Sequence, residues 1–151
     1  MAYVTPKDFV DAFLTALRAD TGTMLSTAIF RKGPQRALRL AGTETAIVFV
    51  AVSGMEGGEQ SAGSGNNWWH EWRLECTLMV PDDEADPEGA EDARLDLLDE
   101  FGEFLHANRT IGGAKVGHMS SAELQFGTLF ENTTQVFRAA RVVVTYRTLR
   151  S

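Results

Sequence analysis

The sequence predicts an α+β domain: a mostly antiparallel β-sheet with two main α-helices packed on one face and a long projecting β-hairpin. Three observations lead there. Two segments repeat apolar residues at helical spacing, one near the start of the chain and one roughly over residues 91–107. One stretch, Trp68 to Val80, alternates apolar and polar residues as a strand with one covered face does. The remaining apolar segments are short, β-branched and separated by turn residues, which favours sequential strands. At 151 residues, with 44% hydrophobic and 23% charged residues, the chain has the size and composition of one globular domain, spanning residues 1–151.

The first helix opens at Thr5, a good N-cap, with Pro6 in the first helical position and Asp8 where a capping acid sits. Phe9, Val10, Phe13, Leu14 and Leu17 form its apolar face, and Gly22 is the expected stop. A short strand is expected over residues 26–30, broken by the turn Lys32-Gly33-Pro34. TAIVFVAV, residues 45–52, is apolar on both faces, as in a strand covered on both sides. Residues 53–67 hold five glycines and almost no apolar content, so a flexible loop is expected. In the strand that follows, Trp68, His70, Trp72, Leu74, Cys76, Leu78 and Val80 share one face. Its length, roughly 43 Å at about 3.3 Å per residue, exceeds the diameter of about 38 Å expected of a compact domain this long. Residues 81–90 read as an acidic linker. The second helix is expected to bury Leu95, Leu98, Phe101 and Leu105, with Leu97 and Phe104 widening the stripe. After a turn at Gly112-Gly113, strands are expected over 114–119, 123–130 and 134–148, the last two joined at Glu131-Asn132.

Charge is unevenly placed. Between Asp82 and Glu103 lie eleven acidic residues and a single base, Arg94, so this one segment creates the net charge of −7. Basic residues gather at Arg31, Lys32, Arg36 and Arg39, and again at Arg138, Arg141, Arg147 and Arg150. Such segregation suits a molecule that attracts copies of itself, acidic face to basic face; a solvated acidic helix with scattered arginines is the alternative. The lone Cys76 excludes an internal disulfide. No apolar run approaches the roughly 20 residues of a membrane span, and the N-terminus lacks a secretion-signal layout, so a soluble, non-secreted domain is expected.

Catalytic chemistry finds no foothold. The glycine-rich segment carries Glu56 and Glu59 and no Lys or Arg, unlike a phosphate-binding loop, and a strand instead of a helix follows it. His70, His106 and His118 have no metal-ligand spacing. No G-x-S-x-G elbow occurs, Cys76 points to the apolar face of its strand, and the paired acids Asp82 and Asp83 stand in a solvated run. No enzyme activity, cofactor or metal is expected. The tryptophans say more: Trp68, Trp69 and Trp72 stand at the loop end of the long strand, where large aromatics suit an interface. Trp72 reads as core; Trp69, on the opposite face, is the strongest interface candidate, with Trp68 beside it.

The order of a T-P-x-x-F helix, a long loop-bearing hairpin, an acidic L-x-x-L-x-x-F helix and the closing segment GTLFENTTQVFRAARVVVTYRT resembles the tail terminator and tail-completion proteins of long-tailed bacteriophages. The likeness covers about residues 5–148 and rests on element order. It implies a structural virion protein at the head-proximal end of the tail, assembled in the host cytoplasm. Its subunits would form a ring, typically a hexamer, that caps the tail tube and joins it to the head connector. The implied partners are copies of itself, the major tail tube protein and the head–tail connector or neck protein, with double-stranded DNA only in transit through the lumen. An acidic chain would not cling to passing phosphates. Asp96, Asp99 and Glu103 on the acidic helix and Arg138 and Arg141 on the last strand are the candidate subunit contacts, with Trp68 and Trp69 facing partners. A head-completion or neck ring, or a small non-viral domain binding a ligand or partner, are the alternatives. Replacing Asp96, Asp99 and Glu103 together with lysine is expected to prevent ring formation, read as a fall in mass by light scattering; normal assembly of that variant would remove the electrostatic argument.

Overall fold

A computed structural model describes residues 5–34, 40, 42–59, 68–111, 114–129 and 136–150, with side chains given outside 55–59, 68–70, 114–129 and 148–150. The first helix, α1, runs Pro6–Arg18. Thr5 caps it, its hydroxyl accepting from the Asp8 amide at 3.1 Å, and Phe9, Val10, Phe13, Leu14 and Leu17 are its buried face. The helix ends at Ala19, ahead of the expected stop at Gly22. Gly22 instead donates its amide to the Asp20 carboxylate at 2.8 Å. The next amides, of Met24 and Leu25, donate to the Glu100 carboxylate at 2.9–3.2 Å. That carboxylate satisfies the start of a 3-10 turn, Leu25–Thr27, which replaces the first part of the expected strand. Strand β1 is therefore Ala28–Lys32. Gly33 then turns the chain with φ 96°, a conformation that suits glycine, and donates to the Val50 carbonyl at 2.8 Å.

Strand β2 is Ala46–Glu59, β3 is Trp68–Pro81, and helix α2 is Pro87–Ala107. Strands β4, Thr110–Ile111, β5, Ala114–Leu129, and β6, Val136–Arg150, complete one sheet in the order β1-β2-β3-β6-β5-β4. Among the described residues the β1–β2 pair is parallel and the other pairs are antiparallel. The fold is α+β, as expected.

Three further boundaries differ from the sequence reading. The glycine-rich segment does not begin as a loop, since Ser53 to Glu59 continue β2 to a pairing of Glu59 with Trp68. The partner strand supplies hydrogen bonds that outweigh the poor strand preference of Gly54, Gly57 and Gly58, and a register break between Val52 and Gly54 absorbs the irregularity. Residues 60–67 of the expected loop lie outside the described residues. The supposed linker is shorter, because Pro87 opens α2 under an Asp86 cap whose carboxylate accepts from the Gly89 amide at 3.1 Å. One long β5 replaces two strands, and three register breaks along it explain why its alternation reads as broken. The turns expected at Gly112-Gly113 and Glu131-Asn132 lie outside the described residues.

The hairpin does not project alone. Strand β6 accompanies β3 along its whole length, from Trp68 opposite Arg150 to Pro81 opposite Phe137. Strands β2, β3 and β6 continue four residues past Trp72 and Tyr146, roughly 13 Å, with β5 and β4 beside them at the base, where Lys115 faces Arg147 and Ile111 is buried, and they form a mainly three-stranded tongue.

Both helices lie on one face. There Ala46, Val48 and Val50, the even residues Trp72 to Val80 of β3, and Ala140, Val142, Val144 and Tyr146 of β6 meet Phe9, Phe13, Leu97, Phe101 and Phe104. Phe9 stacks on Trp72 (centroids 5.3 Å apart) and tilts against Tyr146 at 4.9 Å, while Phe13 meets Phe104 edge-on at 5.5 Å. The opposite face carries a smaller buried cluster, Ile47, Phe49, Met79, Phe137 and Ala139, against which Leu40 of the β1–β2 crossover packs. This double cover explains why TAIVFVAV is apolar on both sides.

The α2 stripe is rotated from the expected one. Ala90, Arg94, Leu97, Phe101, Phe104 and Leu105 are buried, whereas Leu95 is 45% exposed and Leu98 only partly covered. Because Phe9 joins α1 to both central strands, Phe9→Ala is expected to destabilise the fold by about 3–5 kcal/mol, read as a lowered urea midpoint with unchanged slope.

Candidate functional site

The acidic helix meets solvent along a groove of about 750 Å³. At 100° per residue, the positions touching α1 and the turn after it (Glu100, Phe101, Phe104) fall on one side of α2. Leu95, Asp99, Gly102 and His106 fall on the other, with Asp96 and Glu103 on the outer rim, and Val142 of β6 at the groove's base. Asp96, Asp99 and Glu103 are exposed, and among the described residues none of them makes an ion pair or hydrogen bond. The carboxylates of Asp8, Glu84, Glu88 and Asp92 likewise make none among the described residues, whereas several acids beside the sheet are paired. Asp11 pairs with Lys7 and Lys32, Asp82 and Glu91 with Arg138, Glu75 with Arg141, and Glu71 with Arg147.

The two arginines expected to meet this acidic surface in a neighbouring subunit pair with other acids within their own. Arg138 is on the helix-facing side of β6, where an arginine interrupts an apolar series, and the reason is a network at the start of α2. Its Nε donates to Asp82 Oδ1 at 2.7 Å and its Nη1 to Glu91 Oε2 at 3.1 Å. Glu91 also pairs with Arg94, whose side chain is 1% exposed and whose Nη1 donates to the Ala139 carbonyl at 3.2 Å. The network ties the chain after β3, the first turns of α2 and β6 together. Arg141 is on the opposite sheet face, 3.5 Å from Glu75, and Arg147 is 3.6 Å from Glu71, forming cross-strand ion pairs beside exposed Arg73. Trp68 and Trp69 open β3 at the tongue tip, paired with Arg150 and Leu149; their side chains lie outside the described ones.

Sequence reasoning missed Arg94 and Glu100. A signal for Arg94 was present, because Ala90, Arg94, Leu97, Phe101 and Phe104 form a continuous helical stripe with one charged member. Glu100 acts through a contact 75–76 residues away in sequence and leaves no local mark.

A second concave surface lies at the β1 edge of the sheet, where Arg18 and Arg31 flank a depression of about 310 Å³ over Leu25, Ile29 and Phe30. Among the described residues no group of three His, Cys, Asp or Glu side chains is placed to hold a metal, and no helix is long and apolar enough to cross a membrane. Cys76 is wholly buried, and desolvation, with Glu75 adding to it, pushes its thiol up, away from thiolate chemistry. The arrangement is suited to contact with macromolecules along α2 and the tongue. The chain matches no protein-family model, and no curated protein matches it either.

Charge pairing sets a pH dependence. The Arg138 guanidinium holds the Asp82 carboxyl below the ordinary range, and Arg94, followed by Arg138, does the same for Glu91. Both carboxyls take up protons less readily folded than unfolded, so their stabilisation is present above the ordinary carboxylate range and is lost as pH falls through the folded values. Arg138→Gln is expected to lower Tm near neutral pH and to flatten its decline between about pH 5 and about pH 3. A variant with an unchanged acid limb in thermal scans would show that the network does not contribute.

Proposed function

We propose that this protein is a structural subunit of a long-tailed phage virion: a tail terminator, forming a ring that caps the tail tube and joins it to the head connector while DNA passes through the lumen. The observation that carries this reading is the distribution of unengaged carboxylates. Asp11, Glu71, Glu75, Asp82 and Glu91 are paired within the subunit, whereas Asp92, Asp96, Asp99 and Glu103 form an acidic side of α2 beside an exposed leucine. Such a side attracts cationic protein surface and repels the phosphates of passing DNA. Element order supports the same reading through its resemblance to tail terminators. The three-stranded tongue, with Trp68 and Trp69 at its tip, is suited to contact with the tail tube protein or the connector. The ring is a homo-oligomer, typically hexameric, assembled in the host cytoplasm and held at the head-proximal end of the tail.

The test is the mass of the purified protein by light scattering across concentration and salt, with negative-stain imaging and addition to purified tail tubes. Rings of about six subunits that shrink at high salt, or caps on tubes, are expected. A protein that stays monomeric at every concentration and leaves tube ends bare would overturn the assignment.

A further inference from the structure

Resting on the ring reading, one contact between subunits can be specified. We infer that the groove side of α2 in one copy, led by Leu95, Asp96 and Asp99, docks into the Arg18–Arg31 depression at the β1 edge of the next copy.

The two surfaces match in chemistry. The α2 side presents an exposed apolar side chain, Leu95, flanked by carboxylates that engage no described group. The depression is mostly polar at its surface, with Ser26, Ala28 and Ile29 between two exposed arginines. Among the described residues Arg18 has no carboxylate partner, and Arg31 donates only to the adjacent Phe30 carbonyl at 2.9 Å. Glu44 at the margin leaves the depression net cationic. Two acids meeting two guanidinium groups satisfy both sides at once, because planar guanidinium groups pair well with carboxylates, and Leu95 between the acids is covered in the same contact.

The surfaces are also separate in position. Strand β1 is one edge of the sheet order, and the depression lies along it beside Arg18 at the end of α1. Helix α2 packs on β3 and β6, and its groove reaches down to Val142 of β6. The two surfaces share no lining residue. A contact between two different surfaces is heterologous, and its repetition closes into a ring when the rotation permits. The contact needs neither Arg138 nor Arg141, whose guanidinium groups are engaged with acids of their own subunit.

The experiment combines charge exchange with cross-linking. The variant Asp96→Arg/Asp99→Arg and the variant Arg18→Glu/Arg31→Glu are each expected to raise the concentration at which rings half-assemble by about tenfold or more. In a mixture of the two variants, alternating copies make every junction complementary, one kind with both charges reversed and the other unaltered, so the mixture, like the chain carrying all four changes, should assemble within about threefold of the unaltered chain. In parallel, Ser26→Cys/Leu95→Cys is treated with a short bis-maleimide, which reads the contact directly because Cys76 is buried. A ladder of cross-linked species, lost at high salt, is the expected result. Rings that form without the ladder and ignore both charge reversals overturn this contact while leaving the ring assignment in place. Cross-linked pairs that never exceed dimers support the contact and overturn the ring. Absence of rings, tube caps and cross-links overturns both.

Discussion

The rotation of α2 about its own axis is the constraint on which the rest of this surface depends. A helix with leucine or phenylalanine on several sides can settle on a sheet in more than one orientation, and here Arg94 selects one. Its guanidinium is buried, so it must be neutralised and hydrogen-bonded, and the Glu91 carboxylate and the Ala139 carbonyl do that together. With Arg94 turned inward, Leu97, Phe101 and Phe104 follow it into the core. Leu95, Asp96 and Asp99 are left outside. A rotation of one residue position would hide the exposed leucine and strand a buried arginine without partners.

The same network secures the approach to α2. Arg138 interrupts an apolar face of β6, yet it stands opposite Val80 at the end of β3, where Asp82 and Glu91 are within reach. At the other end of the helix layer, Glu100 satisfies the amides that begin the turn after α1. The acidic segment between Asp82 and Glu103 therefore divides by task. Asp82, Asp86, Glu91 and Glu100 hold the fold together through caps and pairs, and Asp96, Asp99 and Glu103 face solvent without a described partner. A charge run that looks uniform in one dimension is divided in three.

Much of this was legible in advance. The cap and apolar face of α1, the alternation of β3, the doubly apolar β2 and the placement of Trp72 in the core all follow from local periodicity, because burial on one face imposes it. The candidate site was legible in part. The exposure of Asp96, Asp99 and Glu103 follows from charge in the middle of a helix, whereas pairing with Arg138 and Arg141 was inferred from charge clustering alone. Clustering cannot show that the nearest acid is on a neighbouring strand. The glycine-rich stretch misled for a related reason: strand preference is a statement about neighbours, and β3 supplies the backbone partners that glycine itself does not select.

The sequence by itself determined the class of fold, the identity of most core residues and the concentration of acid on one helix, since these depend on patterns within a few residues. Only the tertiary structure decided which acids are paired, how α2 is rotated, that β6 widens the hairpin into a three-stranded tongue, and that Arg18 and Arg31 share a depression at the β1 edge. Those outcomes are contacts between residues far apart in the chain, such as Glu100 with Met24 and Arg138 with Asp82. They arise because a buried charge or an unsatisfied amide must find its partner wherever the fold brings one.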